Sequence, residues 1–120
     1  MAREFSRHQR LATEVLRTLA GLLRSETKDP RLQRISLTST DLSRDLSVAN
    51  VYFSLLNPDD DPAPVLDGLN RASGFLRSRL GHSMQIRHVP ELRFFHDDSA
   101  EQGAKISKLI DNALRADRHE

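Results

Sequence analysis

Residues 35–55, ISLTSTDLSRDLSVANVYFSL, carry the pattern that decides the fold of this 120-residue chain. In the first part, Ile35 and Leu37 alternate with hydroxyl side chains, which is typical of a strand. The second part has one apolar face, formed by Ala49, Val51, Phe53 and Leu55. Residues 42–45 between the two parts are mostly polar and favour a short turn. The stretch therefore predicts an antiparallel β-hairpin.

A long amphipathic helix is predicted before the hairpin, from Phe5 to about Lys28. Its apolar side chains share one face at about 100° per residue: Leu11, Ala12, Val15, Leu16, Leu19, Leu22 and Leu23. Near the opposite pole lie Arg3, Arg7, Arg10 and Arg17. Asp29-Pro30 should end the helix, because a residue that precedes proline is disfavoured in helical geometry.

A second helix is predicted after the hairpin, beyond an acidic, proline-rich loop. It should run from Val65 to Leu80, interrupted by the small residues Ala72-Ser73-Gly74, with Gly81 as its C-terminal cap. Residues 85–96 are predicted to be extended, with Pro90 forcing a bend or an edge position. A last helix should open with a capping box at residues 99–102. Its predicted buried stripe consists of Ile106, Leu109, Ile110, Ala113 and Leu114.

This order of elements predicts an α+β sandwich, with helices packed on a three-stranded, partly antiparallel sheet. One domain should cover residues 1–114, followed by a frayed tail at residues 115–120. No apolar run approaches the ~20 residues of a membrane span. The N-terminal residues lack the apolar segment of a signal peptide, so a cytoplasmic location is expected.

Charge is unevenly distributed, although the net charge is only +1. Residues 1–28 carry six basic and three acidic side chains, and residues 29–61 carry three basic and six acidic ones. Residues 69–96 carry five arginines against one glutamate. Such segregation suits a surface that faces a polyanion, and an ordinary solvated mixture is the alternative that charge alone leaves open.

Motifs for catalysis or cofactor binding are missing from the sequence. It contains no cysteine, which excludes thiol chemistry, and no GxxxxGK[ST], GxGxxG or GxSxG motif. The run His96-Asp97-Asp98 is interpreted as a strand exit and an acidic helix start rather than a metal site. Asp59-Asp60-Asp61 is interpreted as a solvated turn. We expect neither an enzyme, nor a cofactor, nor a metal ion.

The aromatic residues give little evidence for base stacking. Phe53, Phe94 and Phe95 are interpreted as core residues because they lie in predicted strands. Tyr52 alternates outward and is the aromatic side chain retained as a surface contact. Any binding of nucleic acid should therefore depend mainly on arginines and backbone.

Several stretches together resemble the ribosome-binding factor A family of bacterial small-subunit assembly factors. They are KDPR at residues 28–31, DLSVANVY at 45–52, ASGFLR at 72–77, RHVPELRF at 87–94 and DDS at 97–99. The resemblance implies a type II KH-like fold, in which an Ala-x-Gly helix kink replaces the GxxG loop of KH domains. Here that kink would be Ala72-Ser73-Gly74, where small side chains leave backbone open to a phosphate. Tight packing of Ala72 and Gly74 against another helix is the alternative interpretation.

The resemblance also implies a function, namely a non-catalytic factor that binds the immature small ribosomal subunit and its rRNA. Such a factor would support maturation of this rRNA near its 5′ end and be most needed in the cold. The expected RNA-binding residues are Arg3, Arg7, Arg10, Lys28, Arg31, Arg71, Ser73, Gly74, Arg77 and Arg79. A monomer without membrane contact is expected, and other assembly factors remain open as partners. The rivals are a protein–protein adaptor without RNA binding and a small hydrolase.

Overall fold

The predicted hairpin is present in the computed structural model. Strand β1 (Ile35–Leu42) pairs antiparallel with β2 (Val48–Leu55), and a register shift between Leu37 and Ser39 marks a bulge. The turn is held by Asp45, whose carboxylate accepts hydrogen bonds from the Ser43 and Ser47 hydroxyls and from the Ser47 N–H. These bonds stabilise the charged carboxylate and hold the pKa of Asp45 below its ordinary value.

The third strand, β3 (Glu91–His96), pairs in parallel with β2 and completes a mixed sheet of order β1-β2-β3. The structure describes the backbone of residues 2–118 and the side chains of residues 7–99, 102, 103 and 106–114. Residues 85–90 precede the strand and are not part of it, so the predicted extended segment starts too early. Pro90, which has no N–H for a ladder bond, lies buried just before β3.

Helix α1 (Ala2–Ser25) ends three residues before the predicted boundary, and a 3-10 helix at Pro30–Gln33 comes after it. The 3-10 helix was not predicted. Asp29 is its N-cap, since the Asp29 carboxylate accepts a hydrogen bond from the Arg31 N–H at 3.0 Å. Because Asp29 has extended backbone angles, Asp29-Pro30 does separate α1 from the 3-10 helix.

Helix α2 (Pro62–Met84) is longer than predicted and runs through Ala72-Ser73-Gly74 without interruption. The predicted interruption of the helix is therefore wrong, while a bend of the axis stays a prediction. Asp61 caps its N-terminus by accepting from the Ala63 N–H, which gives one residue of the acidic loop a structural role. The predicted cap at Gly81 is also wrong, because the helix ends at Gln85 in the left-handed conformation.

The core lies between α1, α2 and one face of the sheet. Among its fully buried side chains are Leu19 from α1, Phe53 from β2, and Leu69, Leu76 and Leu80 from α2. The alternation of β2 places its four apolar residues in this core, as predicted. The fold is the predicted α+β sandwich.

Helix α3 (Ser99–Arg118) differs most from the prediction. It begins at Ser99, whose N–H donates to the Asp97 carboxylate, so the N-terminal signal lies earlier than the proposed capping box. The predicted buried stripe is wrong, since its large apolar side chains are exposed: Ile106, Leu109, Ile110 and Leu114. The domain limit at residue 114 stays a prediction. Within the described residues, no helix is long and apolar enough to cross a membrane.

Candidate nucleic-acid interface

The arginine stripe of α1 faces solvent where the structure describes it. Arg7 and Arg10 are exposed, while Val15 and Leu19 on the other side of the helix are buried. His8 Nε2 lies 2.9 Å from the Leu42 carbonyl oxygen, and this hydrogen bond ties the start of α1 to the end of β1. The side chain of Arg3 lies outside the described residues.

Arg31 forms an ion pair with several hydrogen bonds to Asp29 at the start of the 3-10 helix. Arg31 Nη2 lies 2.7 Å from Asp29 Oδ2, and Arg31 Nε lies 3.1 Å from both carboxylate oxygens. These bonds lower the pKa of Asp29 and raise that of Arg31. Arg31 Nη1 donates to the Pro64 carbonyl at 3.1 Å, which fastens the 3-10 helix to α2. Lys28 is exposed just before this pair.

Asp67 on α2 joins Arg31 to Arg71. Asp67 Oδ2 lies 3.1 Å from Arg71 Nε and 3.7 Å from Arg31 Nη1. A Cβ at Gly68 would come within 3.2 Å of Asp29 Oδ2, so the missing side chain gives the ion pair room against α2. The two carboxylates, Asp29 and Asp67, balance the formal charges of Arg31 and Arg71.

Two further arginines of α2 have different surroundings. Arg77 donates to the Val89 carbonyl at 2.9 Å and to the Pro90 carbonyl at 3.1 Å, and it thereby holds the segment that leads into β3. Arg79 is exposed, and its guanidinium carbon lies 5.3 Å from the centroid of the Phe75 ring, a cation–π distance.

The backbone around Gly74 is open. In the described part of the chain, no atom outside its own helical turn lies within 4 Å of the position that a Gly74 Cβ would take. Packing against another helix is therefore wrong as a reason for this glycine, whereas Ala72 does pack against the core. The Ser73 hydroxyl donates to the Asn70 carbonyl at 2.8 Å.

The structure thus brings Arg31 and Arg71 together, and it places Arg79 about 12 Å farther along the same helix at 1.5 Å per residue. Asp67 is not among the residues predicted from the sequence, although an acidic residue four positions before an arginine on a helix is a recognisable ion-pair signal. Phe75 beside Arg79 was not predicted as a site residue either.

The outer face of the sheet carries a second aromatic side chain beside Tyr52. Tyr52 points away from the core, as predicted, and stacks on Phe95 with ring centroids 5.5 Å apart. The prediction that Phe95 is a core residue is wrong, since it is 42% exposed. Because strand side chains alternate, Phe94 and Phe95 could not both face the core. Phe94 is buried, as predicted.

No cluster of three or more potential metal ligands occurs among the residues that the structure describes. Asp97 instead accepts hydrogen bonds from the Ser99 N–H and the Thr38 hydroxyl, which lower its pKa. The run His96-Asp97-Asp98 joins the end of β3 to the start of α3, in agreement with the structural interpretation.

The mixed three-stranded sheet, with α1 and α2 on one face, defines a small α+β protein with a KH-like fold. The model of one family, ribosome-binding factor A, matches residues 7–110. The chain belongs to the ribosome-binding factor A family, as its motifs indicated.

Similar proteins agree with this assignment. The ribosome-binding factor A of Thioalkalivibrio sulfidiphilus is 46% identical over 98% of this chain and 92% of its own length. That of Azoarcus sp. is 44% identical over 98% and 93%.

Two structural comparisons involve Thermus thermophilus. The crystal structure of its ribosome-binding factor A has a TM-score of 0.67 and 28% identity, covering 74% of this chain and 94% of that chain. The second is a homology model of the T. thermophilus factor, fitted into the cryo-EM map of a 30S–RbfA complex. It has a TM-score of 0.63 and 28% identity, covering 76% of this chain and 96% of that chain.

Proposed function

We propose that this protein is a non-catalytic assembly factor of the cytoplasm that binds the immature small ribosomal subunit and its rRNA. It supports maturation of that rRNA near the 5′ end and is most needed in the cold. It acts as a monomer without membrane contact, and other assembly factors remain open as partners. Membership of the ribosome-binding factor A family and the 30S complex of the T. thermophilus relative support the ribosomal target.

The observation that carries the RNA-binding proposal is the surface of α2 from Arg71 to Arg79. Both arginines are exposed, and the backbone at Gly74, which lies between them along the helix axis, is uncovered. Arginine binds phosphate through a planar set of N–H donors, and the open backbone allows a polyanion to approach closely. Lys28, Arg7 and Arg10 add exposed positive charge, and Ser73 flanks the open backbone.

Arg31 and Arg77 contribute to this surface by positioning it. Their guanidinium groups already hold backbone carbonyl oxygens, Pro64 for Arg31 and Val89 and Pro90 for Arg77. Hydrogen bonds of charged groups to backbone carbonyl oxygens help to hold together the segments that they join. Substitution of either residue would therefore affect folding as well as binding, and neither is suited to a binding test.

The test is binding of small-subunit rRNA by the double variant Arg71→Glu/Arg79→Glu at a series of salt concentrations. We expect weaker binding and a flatter salt dependence, by roughly 0.7–0.9 in log–log slope for each phosphate that the variant no longer binds. The matched control is Arg44→Glu/Arg93→Glu, which changes the net charge equally at the hairpin turn and on the outer face of the sheet. A folded α2 variant with wild-type affinity and slope would contradict the proposal.

The alternative is a protein–protein adaptor that does not bind RNA. The exposed apolar stripe of α3 favours it, because contiguous apolar side chains on a surface are typical of protein contacts. The same titration separates the two functions, since an adaptor would show no salt-sensitive binding of RNA by the wild-type protein.

A further inference from the structure

We propose that Asp67 limits the RNA affinity of this protein by competing with RNA phosphates for Arg71. This inference rests on the proposed function and adds a residue that opposes binding within the binding surface. Asp67 contacts two of the expected RNA-binding arginines, at 3.1 Å for Arg71 and 3.7 Å for Arg31. An affinity-limiting carboxylate suits a factor that must leave its RNA after use.

Of the two arginines, Arg71 is the one that can exchange its partner. Arg31 is 39% exposed, and its Nε, Nη1 and Nη2 atoms all donate to Asp29 or to the Pro64 carbonyl. Arg71 is 77% exposed, and Asp67 meets it at Nε. A phosphate can therefore reach Arg71 without dismantling the contact between the 3-10 helix and α2.

The position of Asp67 decides which edge of Arg71 a phosphate can use. Arginine binds phosphate bidentately, through Nε with one Nη or through both Nη atoms. Because Asp67 holds Nε, the edge that contains Nε is occupied, and a phosphate on the other edge still feels the nearby carboxylate. If the phosphate displaces Asp67, this carboxylate remains close to Arg31, so the exchange does not leave the Asp67 charge without a positively charged neighbour.

The expected size of the effect is modest because the ion pair is exposed. Such pairs contribute about 0.2–1 kcal/mol, which corresponds to a change of up to about fivefold in a dissociation constant. Asp67→Asn should thus lower the dissociation constant by up to about fivefold. It should also steepen the salt dependence, since Arg71 then has no acidic partner at Nε.

The experiment measures binding of a fluorescently labelled, single-stranded RNA of mixed sequence to the full chain at several KCl concentrations. Asp67→Asn is compared with Asp41→Asn, which makes the same change in net charge on an exposed residue of β1. Each substitution is also made in an Arg71→Ala background. We expect tighter binding for Asp67→Asn than for Asp41→Asn, and no such difference once Arg71 is absent.

Two outcomes would overturn the inference while leaving the proposed function intact. One is equal affinity of the Asp67→Asn and Asp41→Asn variants. The other is tighter binding by Asp67→Asn that persists in the Arg71→Ala background, which would mean that Asp67 acts as a general charge and not through Arg71. If the wild-type protein and all variants fail to bind RNA, the proposed function itself is wrong.

Discussion

Two glycines of α2 illustrate how the same residue type serves opposite purposes. A Cβ at Gly81 would lie 2.5 Å from Val89 Cγ2, so this glycine allows α2 to pack against the segment before β3. Gly74 has open space at the same position, and its φ is not positive. Neither packing nor backbone geometry explains Gly74, and the explanation that we propose is close approach of RNA to the backbone at this point.

We therefore expect Gly74→Ala and Gly81→Ala to change stability in opposite directions. Gly74→Ala should raise the free energy of unfolding by about 0.5–1 kcal/mol, because alanine is the better helix former. Gly81→Ala should lower it by about 1–3 kcal/mol through overpacking against Val89. Urea titrations followed by circular dichroism measure both changes.

The same region of α2 offers a test of the RNA-binding surface. Gly74→Val should weaken RNA binding in a folded protein, because its side chain covers the open backbone, and Ser73→Ala is the control that removes only a hydroxyl. Wild-type affinity and stability of Gly74→Val together would show that the backbone at this point is not approached.

At the scale of elements, α2 and α3 are both amphipathic in sequence but differ in what covers them. The apolar residues of α2 meet the sheet and α1, whereas none of the buried core residues belongs to the described part of α3. The difference arises from the order of the elements. Helix α2 connects two strands of one sheet and must therefore cross that sheet, whereas α3 comes after the last strand and has no such constraint.

The same substitution in the two helices should therefore have very different costs. Leu76 on α2 is fully buried at 0% exposure, and Leu109 on α3 is 68% exposed. Leu76→Ala should lower the free energy of unfolding by about 2–5 kcal/mol. Leu109→Ala should change it by less than about 0.5 kcal/mol, as for other surface substitutions. Chemical denaturation of both variants measures the contrast, and similar decreases would mean that the α3 stripe is covered in solution.

At the scale of the whole molecule, the proposed function requires action by binding alone. A protein that acts in this way can shift an RNA equilibrium only by its differential affinity for two conformers. Misfolded RNA helices escape more slowly at low temperature, which makes such selection most important there.

We expect depletion of this protein to cause accumulation of immature small subunits, more severely in the cold. Sucrose-gradient profiles and mapping of rRNA 5′ ends at two temperatures measure this, with re-expression of the wild-type protein as the control. Fully processed rRNA and normal subunit ratios in the depleted cells at low temperature would contradict the assembly role and favour the adaptor.

Local sequence pattern alone predicted the hairpin and the central parts of helices α1 and α2, and sequence motifs alone indicated the family. Alternation at residues 49–55 and helical spacing from Leu11 to Leu23 depend on near neighbours, so they can be seen in one sequence. The motifs of residues 28–31, 45–52, 72–77, 87–94 and 97–99 were specific enough together to indicate the family, and the family resemblance implied the KH-like fold. Periodicity also showed that α3 is amphipathic.

Only the tertiary structure decided which of these surfaces are covered and which charges are engaged. The exposure of Leu109 depends on where α3 lies after β3. An apolar stripe in the sequence does not show which surface, if any, covers it. Arg31, Arg71, Arg77 and Arg79 look alike in sequence. The fold gives them different partners because Pro64, Asp67, Phe75 and Val89 come near them through packing and helical geometry. Charge pattern therefore predicts a basic surface, but only contacts between separate segments show that Arg31 and Arg77 hold backbone carbonyl groups, whereas Arg71 and Arg79 contact side chains four residues away on their own helix.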